Sequence, residues 1–452
     1  MHDAYRGRPI VVAGAGVSGE AAARALRELG AVVTVVDGST EALDLLAAQG
    51  FSVASGLPVE VALVVTSPGF RPTAPVLVEA AARGVEVVGE VELAWRLAHL
   101  PGRTAAPWLA LTGTNGKTTT VKMLEAMLAA AGHRTIAAGN VGLPLVDAVD
   151  GPYDVLAVEL SSFQLHWSSS LRPHTGALLN LADDHTDWHG SFGEYSRAKA
   201  RILAADVALG NADDDAVRGL LAHAPAPQVG FTLRTPKAGQ VGVVEHLLVD
   251  RAFPDVPGEG TELATLDDIG VPGDHNVANA LAAAAMARSF GVPAAAVRDG
   301  LRSFVPEPHR NTLVAVLGDV SWVDDSKATN PHAAAASLAS YRPVVWVAGG
   351  LLKGADVDDL VRQAAPRLRA AVLLGTDRAV LRDALSRHAP EVPVVEVARL
   401  DTGAMHEVVE AARSLARPGD TVLLAPAAAS MDCFADYKQR GDLFADAVLS
   451  LR

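Results

Sequence analysis

Residues 108–120 read Trp-Leu-Ala-Leu-Thr-Gly-Thr-Asn-Gly-Lys-Thr-Thr-Thr, and this stretch decides the fold of the chain. It predicts an apolar strand, a glycine turn and then a helix over Val121–Ala131. The turn lets backbone N–H groups close around phosphate oxygens, and the start of the helix adds partial positive charge. Lys117 offers a point charge for the terminal phosphates, and Thr118 a hydroxyl for Mg²⁺. The loop therefore predicts an ATP site made of Gly113, Thr114, Asn115, Gly116, Lys117, Thr118 and Thr119.

The loop departs from the usual phosphate-binding pattern at one position, because Leu111 stands where that pattern has its first glycine. An ordinary strand-to-helix turn would also use glycine. Such a turn gives no reason, however, for a lysine and threonines between the strand and the helix. The shorter motif Gly113-x-x-Gly116-Lys117-Thr118 therefore favours phosphate binding.

Length and composition limit the class of protein. A chain of 452 residues predicts about three domains. Its net charge of −14 argues against a general nucleic-acid surface, and its single cysteine excludes a disulfide framework. No run of about 18 apolar residues is free of charge, so we expect neither a membrane span nor a secretory leader. A cytoplasmic protein fits these features best.

The first segment has the pattern of a dinucleotide-binding fold. Ile10–Gly19 carries Gly-x-Gly-x-x-Gly after a short strand, and a second strand, Val32–Val36, ends at Asp37. On these residues alone the prediction is NAD binding. A further strand, Val61–Val65, leads into the loop Thr66–Gly69.

Strands and helices alternate along the rest of the chain, which predicts parallel sheets covered by helices. Linkers divide the chain into three α/β domains, 1–103, 104–307 and 308–452. The first and third are expected to be Rossmann-like, and the second to be a mononucleotide-binding sheet with the phosphate loop. Ligands in such sheets bind beyond the carboxyl ends of the strands. Further predicted strands are Thr135–Ala138, Val155–Leu160, Gly176–Leu179, Asp206–Leu209, Leu313–Leu317, Ser321–Val323, Val344–Ala348, Ala371–Leu374 and Thr421–Leu424.

Three polar residues of the second segment have chemistry to offer. Glu159 ends a strand in the sheet of the phosphate loop and is placed to hold Mg²⁺, although a glutamate exposed to water fits the pattern too. His185 follows another strand and is interpreted as a metal ligand, an acid–base group or a solvated loop histidine. Lys199 lies on a helical pattern and is, by itself, a surface lysine.

In the third segment, residues 322–331 read Trp-Val-Asp-Asp-Ser-Lys-Ala-Thr-Asn-Pro, a strand leading into a helix. Asn330 suits the N-cap of that helix and Pro331 its first position. These signals do not account for the polar side chains crowded into 325–329. Loops rich in glycine or alanine, 349–354 and 425–430, also follow strands.

Together these motifs resemble the Mur ligase family of ATP-dependent amide-forming enzymes across essentially the whole chain. The resemblance rests on Gly-Thr-Asn-Gly-Lys-Thr at 113–118, Glu-Leu-Ser-Ser-Phe-Gln at 159–164, Asp-His at 184–185, His-Asn at 275–276, His-Arg at 309–310 and Asp-Ser-Lys-Ala-Thr-Asn at 325–330. The last motif is similar to members that add D-glutamate to UDP-N-acetylmuramoyl-L-alanine in peptidoglycan precursor synthesis. The resemblance implies ATP, two Mg²⁺ ions and an acyl-phosphate intermediate.

The resemblance also implies roles for individual residues. The catalytic residues are Lys117, His185, Lys199 and Lys327, and Lys199 is expected to be carbamylated. The Mg²⁺ ligands are Thr118, Glu159, His185 and Lys199. Outside the phosphate loop, the ATP-binding residues are Asn276, Arg310 and Asp325. The residues for the UDP substrate, which replaces NAD at the first domain, are Gly16, Asp37, Ser39, Ser67, Gly69 and Asn140. Those for D-glutamate are Thr329, Lys353, Ser430 and Tyr437.

Two positions depart from the family pattern. Gly38 stands where a hydroxyl residue can contact uracil, which leaves a backbone contact or Ser39, and Tyr437 stands where phenylalanine is frequent. Three other interpretations stay open: a ligase for another amino acid, an NAD-dependent oxidoreductase fused to an ATPase, and a binding protein without activity. We expect a monomer whose C-terminal domain rotates onto the central one when ATP and substrate bind, because linkers separate the essential groups.

Overall fold

The computed structural model describes residues 4–451, with only the backbone at Asp187. It contains three sheets that follow one another along the chain and are accompanied by helices. This architecture confirms the predicted α/β class with three domains. The chain also groups into two compact units: one runs to residue 269 and includes 278–304, and the other comprises 270–277 and the chain from 305 onward. The first two sheets belong to the first unit and the third sheet to the second.

The first sheet has five parallel strands. They are β1 (Pro9–Ala13), β2 (Val32–Val36), β3 (Ser52–Ala54), β4 (Leu63–Thr66) and β5 (Val87–Gly89). Their order is β3-β2-β1-β4-β5, which places the glycine loop after the central strand, as in a Rossmann fold. The helices are α1 (Val17–Glu28), α2 (Thr40–Ala48), α3 (Pro75–Ala82) and α4 (Glu90–Ala98).

The second sheet has nine strands. They are β6 (Trp108–Thr112), β7 (Thr135–Gly139), β8 (Val155–Glu159), β9 (Thr175–Leu178), β10 (Val207–Asn211), β11 (Gln228–Phe231), β12 (Gln240–Val244), β13 (Leu247–Asp250) and β14 (Thr261–Thr265). In the order β14-β13-β12-β11-β10-β9-β6-β8-β7, the strand before the phosphate loop is fully buried between two parallel neighbours. The helices are α5 (Lys117–Ala130), α6 (Leu145–Ala148), α7 (Ser162–His166), α8 (Thr186–His189), α9 (Phe192–Ala200), α10 (Asp215–Leu221), α11 (Asp274–Ser289) and α12 (Ala294–Ser303).

The edge formed by β12, β13 and β14 is antiparallel, so the prediction of purely parallel sheets is wrong there. Strands β12 and β13 are joined by the two residues Glu245 and His246, and Glu245 has a positive φ of 55°. Asparagine and glycine are the usual signals for such a turn. Because neither is present, the sequence did not reveal this hairpin.

The third sheet has six strands. They are β15 (Thr312–Leu317), β16 (Val320–Asp324), β17 (Val344–Gly349), β18 (Leu368–Leu374), β19 (Val394–Glu396) and β20 (Thr421–Leu424). The order is β15-β16-β20-β17-β18-β19, and only the edge strand β15 is antiparallel to its neighbour. The loops after β16, β20 and β17 therefore meet at one edge. The helices are α13 (Pro331–Ala339), α14 (Asp358–Ala364), α15 (Arg378–His388), α16 (Ala404–Leu415) and α17 (Tyr437–Leu449).

Every strand predicted from the sequence is present, with ends displaced by no more than a few residues. Across residues 4–451, none of the helices combines the length and the apolar composition that crossing a bilayer requires.

Two buried glutamates of α4 attach the first layer to the second within the first unit. Glu90 Oε1 accepts a hydrogen bond from the Val146 backbone N–H at 2.8 Å, in the first turn of α6. Glu92 Oε2 accepts from the backbone N–H groups of Ser169 and Ser170 at 2.9 and 3.0 Å. The N–H groups at a helix start lack partners within the helix, and a carboxylate satisfies them well. Burial nevertheless raises the pKa of Glu90 to about 7.

Replacing Glu90 by glutamine should remove a pH-dependent loss of stability. The pKa of Glu90 in the folded protein, about 7, lies above its ordinary value of 4.5. The folded state therefore holds this proton more tightly than the unfolded state, and stability falls as pH rises between these values. The wild type should lose on the order of 3 kcal/mol in that window. Glu90→Gln keeps the acceptor oxygen for Val146, so its advantage over the wild type should be larger near pH 8 than near pH 5 in urea unfolding.

Glu41→Gln is the control, since Glu41 is an exposed acid in the first turn of α2. This variant should follow the wild-type pH dependence. If Glu90→Gln did so too, the buried carboxyl would not be the group responsible.

Candidate active site

The phosphate loop is held in shape by a tight contact and by the residue that follows β9. Gly116 has a φ of +80°, and a Cβ added there would lie 2.3 Å from Asn279 Oδ1. Asn180 accepts from the Thr114 backbone N–H through its carbonyl at 3.0 Å and from the Asn115 N–H through Oδ1 at 2.8 Å. The sequence did not single out Asn180 or Asn279. Both contact the loop and fix its shape.

Two lysine amines meet at one backbone carbonyl of this loop. Lys117 Nζ donates to Gly113 O at 2.9 Å, and Lys199 Nζ donates to the same oxygen at 2.7 Å. Lys199 Nζ also donates to Thr112 Oγ1 at 3.2 Å, and Lys199 is only 2% exposed. The interpretation as a surface lysine is therefore wrong. Burial, assisted by the charge of Lys117, lowers the pKa of Lys199 well below its ordinary value and favours the neutral amine.

Tyr195 completes the surroundings of these lysines. Its ring centroid lies 4.9 Å from Lys199 Nζ, and its hydroxyl is 2.9 Å from Thr114 Oγ1. Tyr195 precedes Lys199 by four residues on α9, a spacing that places two side chains on one helix face. That spacing was the available signal in the sequence, and the sequence reasoning missed it.

Glu159 presents an unsatisfied carboxylate oxygen next to the phosphate loop. It ends β8 and is 1% exposed, so the alternative of a glutamate exposed to water is wrong. Its Oε1 accepts from Asn140 Nδ2 at 2.7 Å, whereas its buried Oε2 has no hydrogen-bond partner among residues 4–451. A buried carboxylate oxygen without a donor is what a cation would satisfy. Glu159 thus fits a Mg²⁺ site, and Asn140 orients it.

Carboxylate and imidazole groups alone do not form the metal site. Among the described residues, no three His, Cys, Asp or Glu side chains are grouped so that they could hold an ion. Mg²⁺ commonly keeps waters and binds through one or two carboxylates together with phosphate oxygens. The residues present, Glu159 and the Thr118 hydroxyl at the start of α5, fit that mode.

His185 lies at the N-cap of α8 with a φ of 54°. Its Nε2 is 3.5 Å from Asp184 Oδ2, and its ring centroid is 4.9 Å from that of Phe163. The histidine is thus packed against the Glu-Leu-Ser-Ser-Phe-Gln motif. Its place as a metal ligand stays a prediction.

At the first sheet, Asp37 shapes the glycine loop. Its Oδ2 accepts from the Ala15 N–H at 2.7 Å and its Oδ1 from the Ser39 N–H at 2.8 Å. The acid of a dinucleotide-binding fold is expected to accept from ribose hydroxyls. Each oxygen of Asp37 accepts one backbone N–H, so this carboxylate holds the glycine loop and the turn into α2 in place. Ser39 is also engaged, since its hydroxyl caps α2 by accepting from Ala42 N–H at 3.3 Å.

The other candidates at this sheet border the same loop. A Cβ added to Gly14 would lie 2.2 Å from Ser67 Oγ, so the two loops are in close contact. Gly16 and Gly69 face open space. Val17 follows Gly16 and is 75% exposed, so it presents an apolar side chain at this loop. The sequence pattern gave no reason to name it.

In the second unit, candidate residues gather at the carboxyl ends of β16, β20 and β17. Burial raises the pKa of Asp325 to about 6 against the opposing charge of Arg310, and Asp325 Oδ1 accepts from Asn311 N–H at 3.2 Å. Lys327 Nζ lies 3.9 Å from the centroid of the Tyr437 ring, a cation–π contact. Tyr437 therefore contacts a predicted catalytic lysine, which its assignment to amino-acid binding did not anticipate.

The loops of Lys353 and Ser430 are joined by backbone pairing. Leu351 and Ala429 exchange two hydrogen bonds, at 2.8 and 2.9 Å. Thr329 N–H donates to Lys327 O at 2.8 Å, which tightens the turn after β16. Asn276 belongs to the same unit and donates through Nδ2 to Pro272 O at 2.7 Å.

The candidates thus fall into three groups. The first group belongs to the second sheet and its helices: the phosphate loop, Asn140, Glu159, His185 and Lys199. The second group borders the first sheet and consists of the UDP candidates Gly16, Asp37, Ser39, Ser67 and Gly69. The remaining ATP and D-glutamate candidates belong to the second unit.

Comparison with known families and proteins matches the chain to one enzyme family. A family described as the Mur ligase middle domain matches residues 111–287, and one described as Mur ligase, glutamate ligase domain matches residues 309–428. The chain is 60% identical to the UDP-N-acetylmuramoylalanine–D-glutamate ligase of Thermobifida fusca, over 99% of each chain. It is 56% identical to the enzyme of the same name from Streptomyces coelicolor, over all of both chains.

Solved structures share the fold at low sequence identity. A pseudomurein peptide ligase type C from Methanothermus fervidus matches with a TM-score of 0.62 and 19% identity, covering 98% of this chain and all of that one. The UDP-N-acetylmuramate–alanine ligase of Thermotoga maritima matches with a TM-score of 0.59, 19% identity and the same coverage. At this identity the likeness concerns the fold alone.

Gly116→Ala should weaken nucleotide binding at the phosphate loop. The φ of +80° and the clash with Asn279 at 2.3 Å make this backbone position incompatible with a side chain. We expect the Kd for Mg-ATP, measured by calorimetry, to rise by at least about tenfold, as for loss of a preorganised anion site.

Gly132→Ala is the matched control, because Gly132 has a φ of +87° but open space around an added Cβ. Gly132→Ala should lower the free energy of unfolding by about 1 kcal/mol, because alanine is strained at a positive φ. Its Kd for Mg-ATP should stay unchanged. Unimpaired binding by Gly116→Ala would show that the loop tolerates rearrangement.

Proposed function

The chain belongs to the Mur ligase family, and on that premise we propose that it joins D-glutamate to UDP-N-acetylmuramoyl-L-alanine in peptidoglycan precursor synthesis. The reaction consumes ATP and releases ADP and phosphate. The observation that supports this activity most directly is the pair of lysines on Gly113 O beside the unsatisfied Glu159 carboxylate. This arrangement suits a transfer of phosphate to a carboxylate.

The first step brings two anions together. The carboxylate of the substrate's L-alanine attacks the γ-phosphorus of ATP, the bond to the bridging oxygen breaks, and an acyl phosphate and ADP result. Lys117 neutralises the β- and γ-phosphates, and Glu159 with Thr118 holds Mg²⁺. When bound, Mg²⁺ would lower the negative charge of the phosphates.

We also propose that Lys199 is carbamylated, and the burial of its amine supports this. The neutral amine favoured by burial attacks the carbon of CO₂, an N–C bond forms, and one proton leaves to water. The product is an anion, so the neutral amine beside Lys117 becomes a group of opposite charge to that ammonium. The new oxygens also give Mg²⁺ the ligand type that it prefers.

In the second step the amine of D-glutamate attacks the acyl carbonyl, and phosphate leaves from the tetrahedral intermediate. Hydroxyl and ammonium groups suit the two carboxylates of the amino acid. We assign this binding to Thr329, Lys353 and Ser430, with Tyr437 beside them. Lys327 is assigned to the transferred phosphoryl group.

The remaining assignments complete the proposal. ATP is held by Asn276, Arg310 and Asp325 as well as the phosphate loop, and the UDP substrate by the loops of the first sheet and by Asn140. Two Mg²⁺ ions would take part, and His185 would hold the second. The enzyme acts as a monomer in the cytoplasm.

The reaction is tested by phosphate release from ATP with Mg²⁺ and UDP-N-acetylmuramoyl-L-alanine. D-glutamate is compared with L-glutamate, glycine and diaminopimelate. Release that requires both the nucleotide substrate and D-glutamate is expected. Release with another amino acid would change the acceptor, and no release with any of them would contradict ligase activity.

Lys117→Ala should lower kcat by at least about 100-fold, as for loss of a preorganised charge at a developing anion. Lys122→Ala is the control on the same helix, since Lys122 forms an ion pair with Glu125 at 2.9 Å. Its kcat should stay close to the wild-type value. Near-normal turnover of Lys117→Ala would remove the assigned role.

Lys199→Ala should be inactive and should regain part of its rate when acetate replaces the missing carbamate. Intact-protein mass spectrometry under CO₂ should show one added CO₂ on the wild type and none on the variant. Lys237→Ala, a change in a loop before β12, should keep the modification. A wild type that never carries CO₂ would rule out the carbamate.

A further inference from the structure

Arg440 is completely buried on α17, in contact with three separate loops. Its Nε donates to Ser326 Oγ at 2.9 Å and its Nη2 to Ser326 O at 2.8 Å. Its Nη1 donates to Ala428 O at 3.1 Å and, at the limit of 3.5 Å, to Gly349 O. The residue has no exposed surface. One guanidinium therefore joins the carboxyl ends of β16, β20 and β17, three adjacent strands of the third sheet.

Each of these loops carries a residue that the proposed function uses. Lys327 follows Ser326 directly, and Ser430 lies two positions after Ala428. Lys353 lies four positions after Gly349, in the loop that pairs with Ala429. The five donors of a guanidinium lie in one rigid plane, so Arg440 fixes these loops relative to one another.

A second chain of contacts runs from Arg440 to the Lys327 side chain. Ser326 Oγ, which accepts from Arg440, donates to Tyr437 O at 2.8 Å. Tyr437 begins α17, and its ring lies under the Lys327 ammonium. Arg440 thus fixes the backbone at Ser326, directly before Lys327. Through Ser326 it also fixes Tyr437, whose ring lies next to the Lys327 ammonium group.

The positive charge of Arg440 is not paired in the usual way. In the described chain, its guanidinium donates to a hydroxyl and to backbone carbonyls, and to no carboxylate. Arg288, also buried, donates instead to Asp250 and Asp255 at 2.9 and 2.7 Å. The carboxylates of Asp432 and Asp324 act on Arg440 through their charges and oppose the effect of its burial. Burial lowers the pKa of Arg440 to about 10, so the group stays charged at neutral pH.

We propose that Arg440 is the positioning residue of the amino-acid site, because its hydrogen bonds align the loops of Lys327, Ser430 and Lys353. This inference rests on the proposed function. It assigns Arg440 no contact with the substrate.

The test compares Arg440→Met and Arg440→Lys with Arg288→Lys in steady-state phosphate release. Arg440→Met removes both charge and hydrogen bonds, while Arg440→Lys keeps the charge but cannot reach three loops. We expect the KM for D-glutamate to rise by about tenfold or more in both variants, as for loss of buried charge-assisted hydrogen bonds. The KM for ATP should rise by a clearly smaller factor than the KM for D-glutamate, because the phosphate loop lies on another sheet and only part of the ATP site follows β16.

Arg288→Lys is the control, because it disturbs a buried arginine that contacts none of the loops held by Arg440. It should lower the unfolding temperature and leave both KM values unchanged. Equal changes in all kinetic constants of the Arg440 variants, in proportion to their loss of stability, would overturn the inference. So would a wild-type KM for D-glutamate in Arg440→Lys.

Ser326→Ala keeps the inference testable if the arginine variants do not fold. It removes one acceptor of Arg440 and the donor to Tyr437 O, and it should raise the KM for D-glutamate in the same direction. Ser414→Ala, on the exposed face of α16, is its control. An unchanged KM in a folded Ser326→Ala would contradict the positioning role. The wild-type assay alone decides the proposed function, and only ratios of variant to wild type decide this inference.

Discussion

The carbonyl of Gly113 is the acceptor on which the central site depends. Two lysine amines, from α5 and α9, donate to this one oxygen, and Lys199 is almost completely buried. Two cations at such close range repel each other, and burial together with this repulsion lowers the pKa of Lys199. The fold resolves this by burying Lys199 more deeply than Lys117. The strand β8, which pairs with β6, ends at Glu159. One carboxylate oxygen of Glu159 has no hydrogen-bond partner in the described chain.

Much of the architecture was predictable from local signals. The phosphate loop, the glycine loop after β1 and the apolar strands each carry a pattern that depends on neighbouring residues in sequence, and all of them are present. The antiparallel edge of the second sheet was not predictable, because Glu245 and His246 form a tight turn without the usual turn residues. Its register depends on pairing with strands already in the sheet.

The site was predictable in its residue types but not in its contacts. The strand ends identified Glu159 and the polar run at 325–329, since carboxyl ends of parallel strands share one edge. The periodicity of the sequence could not show that Lys199 is buried. Nor could it show that Asn140 donates a hydrogen bond to Glu159, or that Asp37 accepts hydrogen bonds from backbone N–H groups. Those facts come from packing between segments far apart in sequence. Arg440 is the clearest case, because its partners Ser326 and Gly349 precede it by 114 and 91 residues.

That separation has a consequence for the order in which the protein is made. The strands of the second sheet and the phosphate loop have left the ribosome long before α17 is synthesised, and domains generally fold as units as they emerge. The loops after β16, β17 and β20 are synthesised before the guanidinium that joins them. A nascent chain can therefore complete the strands of the second sheet while these loops still lack Arg440, so the synthesis of α17 completes the contacts among them.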